Sequence, residues 1–167
     1  MNNSIVSDAF GHHVWATRRM LDACAALTED QLTATVPGTY GPILDMLRHI
    51  VGADASYLSL LTGGEVAEVE EDTMSLAELR QEIEVVDEGW RAFLATEFDP
   101  DADVVRHRDD GTTSHAPMSI RLVQATQHGT DHRSQVSTAL TSLGIEPPDL
   151  DVWAFADAHG RLAADGS

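Results

Sequence analysis

Two histidines, His128 and His132, lie four residues apart and could share one metal ion. In an α-helix four residues rotate by about 400°, so both imidazoles would lie on one face, roughly 6 Å apart along the axis. Apolar residues occupy the same face, which directs it toward the core. A third histidine, His49, holds an equivalent inward position between Met46 and Ala53 on another predicted helix. Three buried imidazoles need polar partners, and a divalent ion is one partner that all three could share.

Each of these histidines also has a simpler interpretation when it is considered alone. A single inward histidine is usually hydrogen-bonded within the core, and an i, i+4 pair arises readily by chance in a chain with 8 histidines. The coincidence of three inward histidines on two helices is what favours a metal site. Three imidazole ligands leave at least one coordination position open, which indicates a reactive rather than a structural centre. Imidazole ligands bind Zn, Ni, Fe or Cu, so the ligand types do not identify the metal.

Other residues with chemical potential make weaker sites. His12 and His13 are adjacent, so on a helix they point to different sides and form a poor ligand pair. Cys24 is the only thiol and lies on an apolar stripe, which predicts an inert core residue rather than a nucleophile. The sequence lacks Glu-x-x-His, His-Glu-x-x-His and Gly-x-Ser-x-Gly motifs, which argues against carboxylate-bridged di-iron, zinc-protease and hydrolase sites. Surface positions are expected for His107, His159 and His115, of which the last could also line the bundle mouth.

Long helices must position these side chains, because apolar residues recur at helical spacing in four segments. The predicted helices cover residues 6–27, 42–62, 75–97 and 118–143. Capping-box patterns at Thr28 and Ser75 predict a short helical turn and the start of the third long helix. Residues 104–115 change to a strand-like pattern and predict a small hairpin whose turn is residues 109–111. A short amphipathic helix is expected within residues 150–159.

Four helices of roughly 20 residues with short connections predict an all-α four-helix bundle. A small hairpin or irregular insertion precedes the last long helix, and residues 1–167 are expected to form a single domain. The connection after the second helix is strongly acidic and is expected to be a solvated connector. Its acidic residues are Glu65, Glu68, Glu70, Glu71 and Asp72.

The overall charge narrows the range of partners. The chain has 28 acidic and 10 basic residues, a formal net charge of −18, and every basic residue is an arginine. Such a surface repels phosphate backbones and anionic lipids, so neither nucleic acid nor a membrane is expected as a partner. The absence of lysine excludes Schiff-base chemistry. No signal-peptide pattern and no run of 18 apolar residues is present, so we expect a cytoplasmic protein without a membrane span.

Four segments make the sequence resemble DinB/YfiT-type proteins, a superfamily that also contains mycothiol-dependent maleylpyruvate isomerase and bacillithiol S-transferases. The segments are residues 14–21, 40–50, 127–135 and 143–153. The resemblance implies a four-helix bundle with a divalent metal at one mouth, held by His49, His128 and His132. Zinc and nickel are the first candidates for that ion, and iron is the next. A homodimer is also implied.

The same resemblance implies metal-dependent S-transfer or isomerisation of a small-molecule substrate with a low-molecular-weight thiol. The alternative is a metal-binding or stress-response homodimer without turnover, because fold and metal transfer between relatives better than chemistry does. Arg133 and Gln135 match family positions after the second helical histidine and are expected to hold the helix or its dimer contact. Asp131 is expected in a salt bridge or in solvent. The resemblance assigns no catalytic side chain.

Overall fold

The computed structural model describes residues 5–108 and 110–163. Its helices are α1 (Ile5–Cys24), α2 (Glu29–Leu32), α3 (Ile43–Leu61), α4 (Leu76–Leu94), α5 (Met118–Ser142) and α6 (Val152–Ala158). Two strands, β1 (Asp103–His107) and β2 (Thr113–Pro117), precede α5, and a 3-10 turn (Glu71–Thr73) lies between α3 and α4. The predicted all-α fold with a small hairpin before the last long helix is therefore confirmed.

Two helices begin at the predicted capping boxes. Ser75 Oγ accepts the N–H of Glu78 at 3.3 Å, while the Glu78 carboxylate accepts the N–H of Ser75 at 2.7 Å, and α4 follows. Thr28 and Gln31 form the same reciprocal pair at the start of α2. Thr28 is extended, with a ψ of 162°, so α1 cannot continue into it. α1 ends at Cys24, three residues before the predicted end, and the N–H of Leu27 then donates to the carbonyl of Cys24 at 3.1 Å.

The four long helices enclose the hydrophobic core. α1 and α3 each pack against both α4 and α5, which is the arrangement of a four-helix bundle. The largest fully buried apolar side chains come from every one of these helices and include Met20, Leu21, Ile43, Leu47, Leu58, Ile83, Trp90 and Leu140. None of the described helices combines the length and apolar character needed to cross a bilayer.

The buried face of α3 differs from the predicted one. It consists of Ile43, Met46, Leu47, Ile50, Val51, Gly52, Asp54, Ala55 and Leu58. The predicted stripe also included His49, Ala53, Tyr57 and Leu61, which are only partly buried. Because α3 packs against two helices at once, its buried face is broad, and periodicity alone does not locate the edges. His49 consequently lies at the edge of the core, with 26% of its side chain exposed.

The hairpin is fastened to the N-terminal half of α5. Its strands pair antiparallel, and Gly111 in the turn has a φ of 80°, a conformation that glycine adopts without steric cost. Asp109, which belongs to the predicted turn, lies outside the described residues. Arg121 on α5 donates hydrogen bonds to the carbonyls of Val104 and Ser114, at 3.2 and 3.1 Å. These bonds tie both strands to the bundle.

Candidate metal centre

The packing of α3 against α5 brings three histidine rings into one cluster. His128 and His132 lie on successive turns of α5, and His49 faces them from α3. One nitrogen of each ring lies within 4.8 Å of the corresponding nitrogens of the other two. The ring centroids are 4.8, 4.9 and 4.6 Å apart. The structure therefore places together the three residues that the sequence marks as candidate ligands, and we call them the three-His cluster.

The cluster has the dimensions and the donor atoms of a site for a single ion. Two nitrogens bound to one ion at about 2.1 Å lie about 3.0 to 3.4 Å apart, and the Nε2 atoms of His49 and His128 are 3.0 Å apart. Nδ1 of His132 is buried and has no hydrogen-bond partner among the described residues. Buried polar atoms normally have such a partner. Three imidazoles are a ligand set for a transition metal or zinc rather than for magnesium or calcium.

The local electrostatics keep two of these imidazoles neutral. The pKa of His128 is lowered from 6.5 to about 4, first by burial and then by the neighbouring His132 and His49 rings. The pKa of His132 is also lowered, first by burial and then by His49. Protonation would place positive charges next to one another in a partly desolvated space. Near neutral pH both rings therefore keep the lone pairs that a metal ion requires.

A tyrosine from the loop between α2 and α3 covers one side of the cluster. The ring of Tyr40 stacks on His49 with a centroid distance of 4.8 Å and an angle of 14°, and meets the His132 ring at 5.1 Å. The backbone N–H of Tyr40 donates to Oε1 of Gln135 at 2.6 Å. Gln135 thus holds this loop over the cluster from the next turn of α5. Tyr40 is 63% exposed, so the cluster lies just beneath the surface.

The acidic connector between α3 and α4 also contacts the three-His cluster. The sequence predicted only a solvated connector here. Oε1 of Glu71 lies 3.2 Å from Nδ1 of His49. The other acidic residues of this connector, Glu65, Glu68, Glu70 and Asp72, are exposed. The prediction is therefore correct for most of the run and wrong for Glu71.

A second polar group, which sequence reasoning missed, lies in the bundle interior. Nε2 of His13 is 2.8 and 3.0 Å from the two carboxylate oxygens of Asp54. Nη1 of Arg133 donates to Nδ1 of His13 at 3.2 Å and to Oγ1 of Thr17 at 3.0 Å. Because the guanidinium of Arg133 can only donate hydrogen bonds, Nδ1 of His13 is the acceptor. The ring proton of His13 is therefore on Nε2, which donates a hydrogen bond to the carboxylate of Asp54. All four side chains are buried, and we call them the interior network.

Arg133 keeps its charge inside this interior network. Burial lowers its pKa to about 10, and the carboxylate of Asp54 opposes that shift. A guanidinium with that pKa is still protonated at neutral pH. The sequence predicted that Arg133 holds the helix or a dimer contact; the structure places it in the interior, where it joins α5 to α1.

Gly129 lies between the two histidine groups. It is next to His128 in the sequence, and the ring of His13 occupies the space that a side chain at this position would need. A Cβ at this position would lie 2.9 Å from Nδ1 of His13 and 2.8 Å from Nη1 of Arg133. Contacts that short essentially never occur, so the interior network requires a glycine here.

The remaining predicted residues lie where the sequence indicates. Cys24 is fully buried, and burial raises its pKa to about 12, so it is a protonated core thiol and not a nucleophile. Asp131 is exposed. The three histidines expected at surface positions are also exposed: His107, His115 and His159.

A four-helix bundle that gathers three histidines between two of its helices defines the class of this protein as a helical bundle with a candidate metal centre. The DinB family model matches the chain over residues 1–164, so the protein belongs to the DinB family. No curated protein matches it. The family expected from the four sequence segments is thereby confirmed, whereas the thiol-dependent relatives stay a hypothesis.

Proposed function

We propose that this protein is a metal-dependent enzyme in which His49, His128 and His132 hold one divalent ion, with zinc or nickel preferred and iron next. The observation that carries the proposal is the 3.0 Å separation of the two Nε2 atoms, which face each other with the third ring adjacent. Hydrogen bonding alone satisfies such a set poorly: each neutral ring has one N–H and one lone pair, and buried Nδ1 of His132 has no partner among the described residues. One divalent ion can accept a lone pair from each of the three rings.

The proposed reaction class is transfer or isomerisation of a small molecule with a low-molecular-weight thiol. A bound ion lowers the pKa of a thiol or water at its open coordination position and so supplies a nucleophile at neutral pH. Cys24, the only thiol of the chain, is buried in the core and protonated. A thiol nucleophile must therefore come from outside the protein. Tyr40 offers an exposed aromatic surface beside the cluster against which an apolar part of a substrate could pack.

Metal content tests the first part of this proposal. Purified wild-type protein should contain about one divalent ion per chain by elemental analysis, and His49→Ala and His132→Ala should each lose most of it. His115→Ala is the matched control, because His115 is exposed, lies outside the three-His cluster and has its ring 2.7 Å from Asp103. Equal metal in wild type and in both cluster variants would overturn the proposed site.

Turnover tests the second part. Ultrafiltered, metal-replete protein is assayed with several thiols and an electrophile, and the metal-free protein is the control. We expect product formation only with the metal. Metal binding without turnover across these thiols would instead favour the alternative, a metal-binding or stress-response module that does not catalyse a reaction.

The proposal also includes a homodimer and a cytoplasmic location. Low-molecular-weight thiols are kept reduced in the cytosol, where the chemistry above would take place. Light scattering during size-exclusion chromatography distinguishes a dimer of 18.1 kDa chains from a monomer. Cell fractionation with an antibody to the chain tests the location.

A further inference from the structure

The connector between α3 and α4 does not hang free in solvent but is held along the side of α3. Besides the Glu71 contact to His49, Nε of Arg48 donates to the carbonyl of Met74 at 2.7 Å. Arg48 and His49 are neighbours on α3, Glu71 is the first residue of the 3-10 turn, and Met74 directly follows the turn. Two adjacent residues of α3 therefore fix the two ends of this turn. The carboxylate of Glu71 is held in a defined place rather than sampling solvent freely.

Glycine at position 52 gives the Glu71 side chain a slot against α3. Gly52 lies three residues after His49, on the same side of the helix, and is buried. A Cβ at Gly52 would lie 2.7 Å from Cβ and 2.8 Å from Cδ of Glu71, so any larger residue would displace that side chain. Glycine in the middle of a helix is unfavourable relative to alanine. Here it allows a carboxylate to reach the ring one turn earlier.

The contact with Glu71 determines which nitrogen of His49 carries the proton. An ionised carboxylate can only accept hydrogen bonds, so Nδ1 of His49 donates to Oε1 of Glu71. Nε2 then keeps its lone pair, and Nε2 is the atom that lies 3.0 Å from Nε2 of His128. Metal-binding histidines usually donate their second N–H to a carboxylate, a carbonyl or water, which fixes the ring and raises its basicity. Within residues 5–108 and 110–163, Glu71 is the one carboxylate hydrogen-bonded to the three-His cluster.

We infer that Glu71 is a positioning residue of the metal centre: its carboxylate, seated against Gly52, holds His49 as the Nδ1–H tautomer with Nε2 directed at the ion. This inference rests on the proposed metal site. It assigns a role to an acidic residue whose surroundings in the sequence indicate only a solvated loop. Glu71 does not itself touch a substrate or the reacting atoms.

Metal affinity of the Glu71 variants tests the inference. The dissociation constant for Zn²⁺ alone is measured by competition with a chelator of known affinity. We expect Glu71→Ala to bind Zn²⁺ about 10- to 100-fold more weakly than wild type. Glu71→Gln, which keeps an accepting oxygen but loses the charge, should recover part of that loss. Glu70→Ala is the matched control, because it removes the same charge from an exposed neighbour and should leave the affinity unchanged.

Gly52→Ala perturbs the same contact from the other side. The new methyl group should displace Glu71 and weaken Zn²⁺ binding about as much as Glu71→Ala does. The melting temperature of the metal-free variant should stay the same or rise, because alanine favours the helix and Glu71 is a movable side chain. Weaker Zn²⁺ binding without a loss of stability would show that the variant disturbs the position of Glu71. A general structural defect would lower both quantities. Unchanged Zn²⁺ affinity in both Gly52→Ala and Glu71→Ala would overturn the inference.

Nitrogen NMR of the histidine rings gives a readout that does not require metal binding. In the metal-free wild type, His49 should be the Nδ1–H tautomer, and in Glu71→Ala it should lose that preference. His49 protonated on Nε2 in wild type would overturn the inference, whatever the metal content. If wild type binds no metal but His49 shows the expected tautomer, the proposed function fails and the Glu71 contact stands as a structural hydrogen bond only, which overturns its role at a metal centre.

Discussion

The bundle contains two histidine groups, one joining α1, α3 and α5 and the other between α3 and α5, and they differ in what their nitrogens contact. In the interior network, both ring nitrogens of His13 are paired, one with Asp54 and one with Arg133. In the three-His cluster, Nε2 of His49 faces Nε2 of His128, and Nδ1 of His132 has no partner in the described part of the chain. The first group is complete within the protein. The second group offers three ring nitrogens that could hold a metal ion.

This difference teaches how to distinguish a buried structural histidine from a candidate ligand. Burial does not separate them, because His13 and His132 are both buried. The useful criterion is whether a donor or an acceptor of the protein reaches each ring nitrogen. By that criterion His13 holds the fold together, and the three-His cluster is available for binding. Substitutions in the two groups should therefore affect different properties.

The largest expected effect is a loss of stability in the interior network. Asp54→Ala removes the carboxylate that offsets the buried charge of Arg133 and accepts from His13. Removing one partner of a buried charged group typically costs about 3–5 kcal/mol, and the free energy of unfolding in urea measures the loss. Asp45→Ala is the control: Asp45 is exposed and 3.1 Å from Arg48, and loss of such a surface pair costs no more than about 1 kcal/mol. Equal losses in the two variants would contradict the difference between the groups.

The helices and the packing between them were easier to predict from the sequence than the interior network was. The four helices follow from apolar spacing and from capping boxes, which are local signals. The pairing of His128 with His132 follows from helix geometry. Their meeting with His49 needed only the packing of α3 against α5, which any bundle of this length makes probable.

The interior network was missed because it depends on how three helices are rotated relative to one another. Adjacency correctly indicated that His12 and His13 point to different sides, but it did not say which side faces the core. A signal was present: His13 lies three residues after Phe10 and four before Thr17, on the buried stripe of α1. Asp54 likewise lies four residues after Ile50 on α3. A buried acid opposite a buried base is recognisable only when such stripes are compared across helices.

The contact of Glu71 could not have been predicted in the same way. It belongs to a connector with no regular period, and its position depends on Gly52 and on the bond from Arg48 to the backbone of Met74. Charge runs of this kind are solvated in most proteins. The two long-range contacts that fix it have no counterpart in local sequence patterns.

The next largest effect concerns metal-dependent stability in the three-His cluster. At a free metal concentration 100 times the dissociation constant, binding should stabilise the wild type by about 2.7 kcal/mol. His128→Ala should lose this gain, because one of the three ligands is missing, while its metal-free stability changes much less than that of Asp54→Ala. Chemical denaturation with Zn²⁺ and with a chelator measures both quantities. An equal metal-induced gain in His128→Ala and wild type would show that His128 is not a ligand.

A third prediction concerns Gly129, which joins the two groups. Gly129→Ala forces a methyl group against His13 and Arg133, and overpacking of this kind costs about 1–3 kcal/mol. Gly89→Ala is a matched helical control, because its Cβ would lie 2.9 and 3.4 Å from methyl groups of Leu58 and Val66 rather than against a hydrogen-bonded network. We expect Gly129→Ala to be the less stable of the two in urea denaturation. The reverse order would mean that the interior network tolerates displacement.

The smallest expected effect is a pH dependence that belongs to the three-His cluster. The pKa of His128 is about 4 in the metal-free folded protein because of burial and the charges of His132 and His49, with Asp54 opposing the shift. Its unfolded value is about 6.5. Between these values the unfolded chain binds more protons, so stability falls as the pH is lowered from about 6.5 toward 4. Solvent near this half-exposed ring reduces the size of the effect.

His128→Gln isolates that contribution, because glutamine fills similar space and does not titrate in this range. The free energy of unfolding of metal-free protein is measured at pH 7 and pH 5.5, above the range in which most carboxylates titrate. Wild type should lose more stability than His128→Gln over this interval. Equal losses would mean that His128 is as easily protonated in the folded protein as in the unfolded chain, and the cluster would then not favour the neutral rings that metal binding requires.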